Sequence, residues 1–260
     1  MLPAIARHAI TAYTRPGGGV LDPLCGIGTT LVEAAHLGRE ALGVELEAKW
    51  ASIARVNLEL AAVQGADGVG EVHAGDAREV AGELASGAWA GKASLLLTSP
   101  PYGAMTHGLV RSRRDGAEKV ERWSHTYNRT RNRAESRLSA PGGPAEVVHA
   151  DPGHVPPAAR TGAVVAGTAH PYRMQGKLVD FPGQVSQAAV RAGLVPHEKC
   201  VALLCALRDG GVVSRASFFQ LIETQRLRAK GLGVQVIQHE DVLIFINPGP
   251  APEVALGAVA

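Results

Sequence analysis

Residues 19–30 read GVLDPLCGIGTT, a short apolar run that ends in an acidic residue and continues into a glycine-rich turn. The apolar part predicts a buried strand, and Thr29 begins a helix whose hydroxyl-bearing first turn can cap it. This order of strand, tight turn and helix is typical of parallel α/β sheets, which bind ligands at the carboxyl ends of their strands. Gly26 and Gly28 would let a ligand approach the backbone, although a glycine turn also fits simple packing.

The same alternation of apolar strands and longer helical periods continues along the chain. Further strands are predicted at residues 41–45, 71–74, 93–98, 162–167, 199–207 and 241–246, and helices at residues 46–63 and 185–192. Residues 217–221 and 239–243 are predicted to continue the sheet with a helix between them. The pattern predicts an α/β fold with a mostly parallel central sheet.

The composition is that of a globular protein with a substantial core, since 46% of the 260 residues are hydrophobic and 19% are charged. The net charge of +2 argues neither for nor against an anionic partner. Three cysteines offer neither a disulfide framework nor a four-cysteine zinc site, so we expect a reducing, cytoplasmic setting and no metal. The sequence shows neither a signal peptide nor an apolar run that could span a membrane.

Positive charge is concentrated in one segment. Residues 111–137 hold nine Lys or Arg and four Asp or Glu, a local excess of +5. The wider segment 104–160 lacks an apolar period and is predicted to be a basic insertion or a loop that contacts nucleic acid, although a charge run is often only a solvated loop. The candidate contacts are arginines that bind phosphate and aromatic residues that stack on bases: Arg111, Arg113, Arg114, Trp123, Tyr127 and Arg129.

Carboxylates follow three successive predicted strands. Asp22 is a poor host for pyrophosphate and a good one for the cationic end of an amino acid. Glu45, about twenty residues further on, has the position of a carboxylate that binds ribose hydroxyls. Asp76 could accept a hydrogen bond from the amino group of adenine, or it could simply cap the next helix. Together they predict an adenosine cofactor without phosphates.

The fourth strand ends in Thr98-Ser99-Pro100-Pro101-Tyr102-Gly103. The two prolines fix φ and remove two N–H donors, so the carbonyls of Ser99 and Pro100 are presented as acceptors beside an aromatic ring. Such a turn suits a flat base that carries an amino group, because Tyr102 can stack on the base while the oxygens orient its nitrogen. The alternative is a purely structural role, in which the two prolines only end the strand.

The ordered pair of motifs, DPLCGIGTT and TSPPYG, resembles the S-adenosylmethionine-dependent amino-methyltransferases that act on nucleic acids, and most of all the DNA cytosine-N4/adenine-N6 methylase family. The resemblance extends over residues 2–108 and, less closely, residues 162–246. It implies a doubly wound, Rossmann-like methyltransferase fold in a single domain that spans residues 1–260, with S-adenosylmethionine as the cofactor. It also implies a DNA partner, with RNA as the other possibility, and DNA methylation of the restriction–modification kind.

Carried over residue by residue, the resemblance implies that Asp22, Gly26 and Gly28 hold the methionine part of the cofactor. Glu45 would hold the ribose and Asp76 the adenine. Cys25, Thr29 and Thr30 complete the predicted cofactor loop, and the Cys25 side chain is expected to pack there. Ser99, Pro100, Pro101 and Tyr102 would form the catalytic pocket.

The implied reaction is direct in-line methyl transfer to an exocyclic amine, which needs no cysteine nucleophile. In the related enzymes, serine at the first position of the catalytic tetrad is associated with cytosine N4, so Ser99 favours that target over adenine N6. The first alternative is a tRNA guanine-N2 methyltransferase, since these enzymes share both motifs in the same order. The second is a catalytically inactive module that only binds nucleic acid.

Overall fold

The computed structural model describes residues 1–100, 159–174, 176–216 and 218–249. The strands are β1 (Gly19–Asp22), β2 (Glu40–Glu45), β3 (Val69–Ala74), β4 (Ala93–Thr98), β5 (Ala159–Ala169), β6 (Tyr172–Met174), β7 (Lys177–Val179), β8 (Val195–Leu203), β9 (Cys205–Arg208), β10 (Gly211–Ser214) and β11 (His239–Ile246). The helices are α1 (Pro3–Tyr13), α2 (Thr29–His36), α3 (Ala48–Val63), α4 (Ala77–Ser86), α5 (Phe181–Arg191) and α6 (Phe218–Ala229).

Seven of these strands form one sheet in the order β3-β2-β1-β4-β5-β11-β8. All pairs from β3 to β5 are parallel, whereas β11 runs antiparallel to both β5 and β8. The first five strands and β8 therefore end at one edge, called here the carboxyl edge. The strand order reverses between β1 and β4, which is the position where open α/β sheets bind ligands. The predicted doubly wound α/β fold is confirmed.

The core consists of two layers of apolar side chains, one on each face of the sheet. On one face, α1, α2 and α3 pack on side chains such as Leu95 and Leu97. On the other, α4 covers Leu96, and α5 packs against β5 and β11. Apolar residues succeed one another without alternation along β4 because both faces of this central strand are covered.

The predicted elements recur with shifted boundaries, and two predictions are wrong. The strand predicted at residues 199–207 is split at Leu204, where the chain leaves the main sheet and enters a separate two-stranded hairpin of β9 and β10. Of the segment 217–221, which was predicted to continue the sheet, Phe218 to Leu221 form the start of α6. For residues 205–207 the physical reason is their pairing with β10 outside the main sheet.

The predicted basic segment overlaps little with the described residues. Its candidates Arg111, Arg113, Arg114, Trp123, Tyr127 and Arg129 lie outside them. β5 already begins at Ala159, inside the predicted range 104–160. In the described ranges, no helix combines the length and apolarity that are needed to cross a membrane.

Candidate active site

The carboxyl edge brings the predicted site residues of four neighbouring strands together. Asp22 is the last residue of β1, and Glu45 is the last residue of β2. Asp76 follows β3 as the N-cap of α4, and Ser99 follows β4 directly. Because these strands are adjacent and parallel, the four residues lie along the carboxyl edge, with Asp22, Glu45 and Asp76 on one side of the switch point and Ser99 on the other.

Asp22 is a buried carboxylate, only 3% exposed. The Thr30 hydroxyl donates to its Oδ2 at 2.6 Å, and the Leu24 N–H donates to its Oδ1 at 3.1 Å. Burial raises the pKa of Asp22 to about 6, although both hydrogen bonds lower it. Among the described residues no Lys, Arg or His side chain pairs with this carboxylate, so a cationic ligand would complete its environment.

The glycine loop after β1 is held from two sides. The N–H of Cys25 donates to the carbonyl of Val44 at 3.0 Å, and Asn57 Nδ2 of α3 donates to the carbonyl of Ile27 at 2.8 Å. Gly26 has φ +55°, and a Cβ placed there would meet no atom within 4 Å. The loop is therefore fixed by its neighbours while its surface at Gly26 stays open, as a cradle for a ligand requires.

Gly28 has a different role, because its left-handed conformation coincides with close packing. Its φ is +84°, and it serves as the N-cap of α2. A Cβ at this position would lie 3.0 Å from the Cβ of Ala54 in α3. Gly28 therefore has two roles: it adopts the left-handed conformation that the turn needs, and its missing side chain lets α2 and α3 approach each other. Thr29 and Thr30 form the first turn of α2.

Glu45 binds the loop from the end of β2. Its Oε2 accepts the N–H of Gly26 at 2.9 Å, and its Oε1 accepts the N–H of Glu47 at 2.9 Å. Burial raises the pKa of this carboxyl group. A carboxylate offers about four lone-pair sites, so both oxygens can still accept hydrogen bonds from ligand hydroxyls.

Asp76 performs the capping role that the sequence left open. It accepts the N–H of Arg78 at 3.0 Å and so caps α4. Arg78 Nε also donates to Asp76 Oδ1 at 2.9 Å, and this bonding lowers the pKa of Asp76. The cap and the ion pair hold the side chain at the carboxyl edge; a contact with adenine stays a prediction.

β4 ends with the buried hydroxyl of Thr98 and is followed by the first half of the predicted catalytic tetrad. The Thr98 hydroxyl lies near enough to Asp22 to lower its pKa, but it has no hydrogen-bond partner in the described part of the chain. Ser99 is partly buried and Pro100 is buried. Pro101 and Tyr102 lie outside the described residues. The unpartnered hydroxyl beside a buried carboxylate marks the junction of β1 and β4 as a place where a polar ligand would bind.

Cys25 packs in the loop as the sequence predicted for its side chain. It is 6% exposed, and burial is the main cause that raises the pKa of its thiol, which disfavours the nucleophilic thiolate. Its Sγ occupies the space above Gly43 of β2, where a Cβ would lie 2.7 Å from the sulfur. Within the described ranges, no group of three His, Cys, Asp or Glu residues is arranged to hold a metal ion.

The hydrogen-bond acceptors of the site fit a nucleoside that carries a positive charge and no phosphate. Asp22 and Glu45 are buried acceptors that each bind an N–H of the glycine loop, and their negative charge would repel a pyrophosphate. S-adenosylmethionine has an ammonium group, ribose hydroxyls and an adenine amine to donate. Sequence reasoning missed Asn57 and Thr98, whose roles depend on the packing of α3 and β4 against the loop.

Comparisons with known proteins agree with this site. The profile of a DNA methylase family matches residues 3–56. The Type II methyltransferase M.SmaI of Serratia marcescens is 50% identical over 52 residues, which are 20% of this chain and 18% of that protein. The Type II methyltransferase M2.DpnII of Streptococcus pneumoniae is 46% identical over 55 residues, 21% of this chain and 20% of that protein.

An RNA enzyme matches a longer region. The tRNA (guanine(10)-N2)-dimethyltransferase of Methanocaldococcus jannaschii is 36% identical over 107 residues, 41% of this chain and 30% of that protein. The matched regions thus span less than a third of the length of each of these relatives. The resemblance seen in the two motifs is confirmed, and with it S-adenosylmethionine as the cofactor. Over these matched regions the chain is similar to amino-methyltransferases, and the matches support an amino-methyltransferase family member.

Proposed function

We propose that this protein transfers a methyl group from S-adenosylmethionine to the exocyclic amine of a nucleic acid base, with cytosine N4 of DNA as the target. One observation carries the proposal: Asp22 and Glu45, both buried, bind the glycine loop from the ends of β1 and β2, and β1 is the neighbour of β4, which Ser99 and Pro100 follow. A cofactor site and an acceptor for an amine thereby share one edge of the sheet.

The cofactor-side residues are suited to bind and orient rather than to react. Asp22 would face the ammonium group of the cofactor, which stabilises its ionised form. Glu45 would accept hydrogen bonds from the two ribose hydroxyls, and Asp76 from the adenine amine. The cofactor itself supplies a methyl group bound to a positively charged sulfur, a strong electrophile. The protein would then hold the acceptor amine in line with that methyl group and exclude water. The S–CH3 bond would break as the N–CH3 bond forms, which leaves a neutral thioether, and the methylated nitrogen, now cationic and acidic, would release its extra proton to solvent.

The tetrad Ser99, Pro100, Pro101 and Tyr102 would hold that amine. The Ser99 hydroxyl and the Pro100 carbonyl would accept hydrogen bonds from the amino group, which directs the nitrogen lone pair towards the methyl carbon. Tyr102 would stack on the face of the base. A base in a duplex would have to leave the helix to reach this turn, at a cost of about a few kcal/mol in lost stacking. We assign the duplex contacts in part to the basic segment 104–160.

The DNA methylase profile over residues 3–56 favours DNA, and serine in the first position of the tetrad favours cytosine N4 over adenine N6. The second candidate is guanine N2 of tRNA, because the archaeal tRNA methyltransferase matches 107 residues whereas M.SmaI matches 52. The inactive nucleic-acid-binding module is disfavoured by the complete set of Asp22, Glu45 and the tetrad. A single domain over residues 1–260 and a cytoplasmic location remain part of the proposal.

Expression in a host that lacks DNA methylation tests the proposal. Modified bases in the host genome are mapped by single-molecule sequencing, and tRNA nucleosides from the same cells are identified by mass spectrometry. We expect N4-methylcytosine in a fixed sequence motif. Methylation confined to tRNA guanine would replace the DNA reading with the second candidate. Neither modification, from a folded protein that binds S-adenosylmethionine, would contradict both.

A further inference from the structure

A two-stranded hairpin leaves the sheet at the edge that carries the candidate active site. β8 runs parallel to β4 and β5, so its last residue, Leu203, lies at the carboxyl edge. Leu204 then anchors the hairpin: its N–H donates to Gln238 at 2.8 Å, and its carbonyl accepts the N–H of Arg215 at 2.8 Å. Both ends of the hairpin are therefore attached at one point, on the side of the sheet where substrate would bind.

The hairpin is a short, well-defined ribbon. Four residue pairs join β9 and β10, from Cys205 with Ser214 to Arg208 with Gly211. The two turn residues, Asp209 and Gly210, have φ of +50° and +75°. Positive φ at both central residues is the signature of the tight turn that matches the natural twist of paired strands. The ribbon therefore presents its side chains in a fixed arrangement.

The ribbon exposes an apolar pair. Leu207 and Val212 are cross-strand partners, and they are 79% and 66% exposed. Paired apolar side chains on a projecting ribbon are unlike single exposed residues scattered on a surface, because together they form a small contact patch. Rigid apolar side chains of this kind are what nucleic-acid-binding proteins insert against unstacked bases.

The patch lies in a positively charged segment. Residues 204–238 hold five Lys or Arg against two Asp or Glu. Arg226 pairs with Glu223 at 3.7 Å, and Arg228 donates to the carbonyl of Val234 at 2.8 Å, so these two arginines serve the local structure. Arg208 and Arg215, by contrast, are exposed and form no ion pair with any residue that the structure describes.

We propose that the β9–β10 hairpin is a substrate-binding ribbon for nucleic acid. Arg208 and Arg215 contact backbone phosphates, while Leu207 and Val212 pack against a base next to the target or fill the space that a displaced base leaves. Two exposed arginines that pair with no acidic side chain among the described residues favour a polyanion as the occupant, and the apolar pair favours one with bases to contact. The proposal rests on the proposed function, since it places the substrate at the carboxyl edge.

Two charge-reversal double variants, one at the hairpin and a matched one elsewhere, test whether the hairpin binds nucleic acid. The test variant is Arg208→Glu with Arg215→Glu. The control is Arg15→Glu with Lys92→Glu, which changes the net charge equally at two exposed positions just before β1 and β4, at the opposite edge of the sheet. Fluorescence anisotropy measures binding to labelled duplex DNA, single-stranded DNA and tRNA over a range of salt concentrations, and calorimetry measures S-adenosylmethionine binding.

The hairpin variant should bind its preferred nucleic acid at least about tenfold more weakly at low salt, with a salt-dependence slope for duplex DNA reduced by about 2. S-adenosylmethionine binding should be unchanged. The control pair should stay close to wild type. A second variant, Leu207→Ser with Val212→Ser, keeps all charges and should slow methyl transfer more than it weakens binding, because it removes contacts with bases.

Equal nucleic-acid affinities of the hairpin variant and the control pair would contradict the proposal that the hairpin binds nucleic acid. A wild-type protein that binds none of the three probes would contradict it as well. The outcomes for the proposed function are separate. Loss of binding in the hairpin variant supports the ribbon even if no base is methylated, whereas normal methylation by that variant with normal affinity contradicts the ribbon and leaves the methyltransferase intact.

Discussion

The N–H of Gly26 donates to Oε2 of Glu45 at 2.9 Å, so the carboxylate that would hold the ribose also fixes the loop that would hold the methionine part of the cofactor. The two residues are 19 positions apart in the sequence. The same carboxylate receives the N–H of Glu47 at the start of α3. One buried side chain therefore joins the ends of two strands into a single binding surface.

Replacing Glu45 by glutamine should weaken S-adenosylmethionine binding by more than tenfold. The amide retains one acceptor, but its NH₂ group faces either Gly26 or Glu47, and charge-assisted bonds of this kind contribute about 1.5–3 kcal/mol. Titration calorimetry provides the affinity. Glu40→Gln is the matched control, since Glu40 is exposed at the other end of the same strand. Equal S-adenosylmethionine affinities of the two variants would show that Glu45 does not bind the cofactor.

Asp22→Asn should make the ligand-free protein more stable at neutral pH. The pKa of Asp22 is about 6 in the folded chain and 3.8 when solvated, so its ionisation lowers stability as pH rises from about 4 through 6. That difference corresponds to about 3 kcal/mol. Urea denaturation should therefore show a gain for Asp22→Asn at pH 7.5 that shrinks as pH approaches 4. A gain that is independent of pH would contradict the buried, ionisable state of Asp22.

Cofactor affinity should depend on the same ionisation in the opposite sense. Asp22 must be charged to face an ammonium group, so wild-type binding of S-adenosylmethionine should weaken as pH falls below about 6, by up to about tenfold per pH unit. Asp22→Asn should bind more weakly at pH 8 and lose this pH dependence. Calorimetry between pH 5 and 8 tests both statements. A wild-type affinity that is flat across this range would separate Asp22 from the ammonium group.

Gly28→Ala should destabilise the protein more than Gly65→Ala. Both glycines have a left-handed backbone, with φ of +84° and +86°, which costs a non-glycine residue about 1–2 kcal/mol. A Cβ at Gly65 would meet nothing within 4 Å, whereas one at Gly28 would lie 3.0 Å from the Cβ of Ala54. In a double-mutant cycle, Ala54→Gly should recover the excess loss in Gly28→Ala. Equal losses of unfolding free energy in the two variants would show that a Cβ at Gly28 does not disturb the packing of α2 on α3.

Tyr102→Ala should cut methyl transfer by more than tenfold, about 1.4 kcal/mol of transition-state stabilisation, while it spares S-adenosylmethionine binding. The reason is that the ring would contact the base and not the cofactor. Single-turnover transfer and calorimetry separate the two steps. Tyr13→Phe is the control, since Tyr13 lies in α1 and its hydroxyl bonds Glu198 of β8. A parallel loss of S-adenosylmethionine affinity would contradict the prediction that Tyr102 contacts only the base.

The sequence predicted the first half of the sheet well because β1, β2 and β4 are short, apolar and bounded by Gly, Pro or acidic residues. The strand predicted at residues 93–98 coincides with β4. The carboxylates at the ends of β1 and β2 followed from the same pattern, since consecutive parallel strands deliver their last residues to one edge.

The hairpins and the loop contacts could not be predicted. Nothing local distinguishes Leu204 from its apolar neighbours, and its role as the hinge between β8 and β9 arises from bonds to Gln238 and Arg215, which are distant in sequence. The bond from Asn57 to the glycine loop likewise depends on how α3 packs. For Asp76, the sequence allowed both a helix cap and a ligand contact, and the cap depends on the bond from the Arg78 N–H, which the sequence alone does not establish.

Transfer of a labelled methyl group tests the account most directly. Purified protein is incubated with S-adenosylmethionine that carries a deuterated methyl group and with unmethylated DNA or tRNA, and the nucleosides are identified by mass spectrometry after digestion. We expect a trideuteromethyl group on N4 of deoxycytidine, absent when Glu45→Gln replaces the wild type at cofactor concentrations below its weakened affinity. A wild-type protein that binds the labelled cofactor and leaves every nucleoside of both substrates unlabelled would contradict the proposed methyl transfer to nucleic acid.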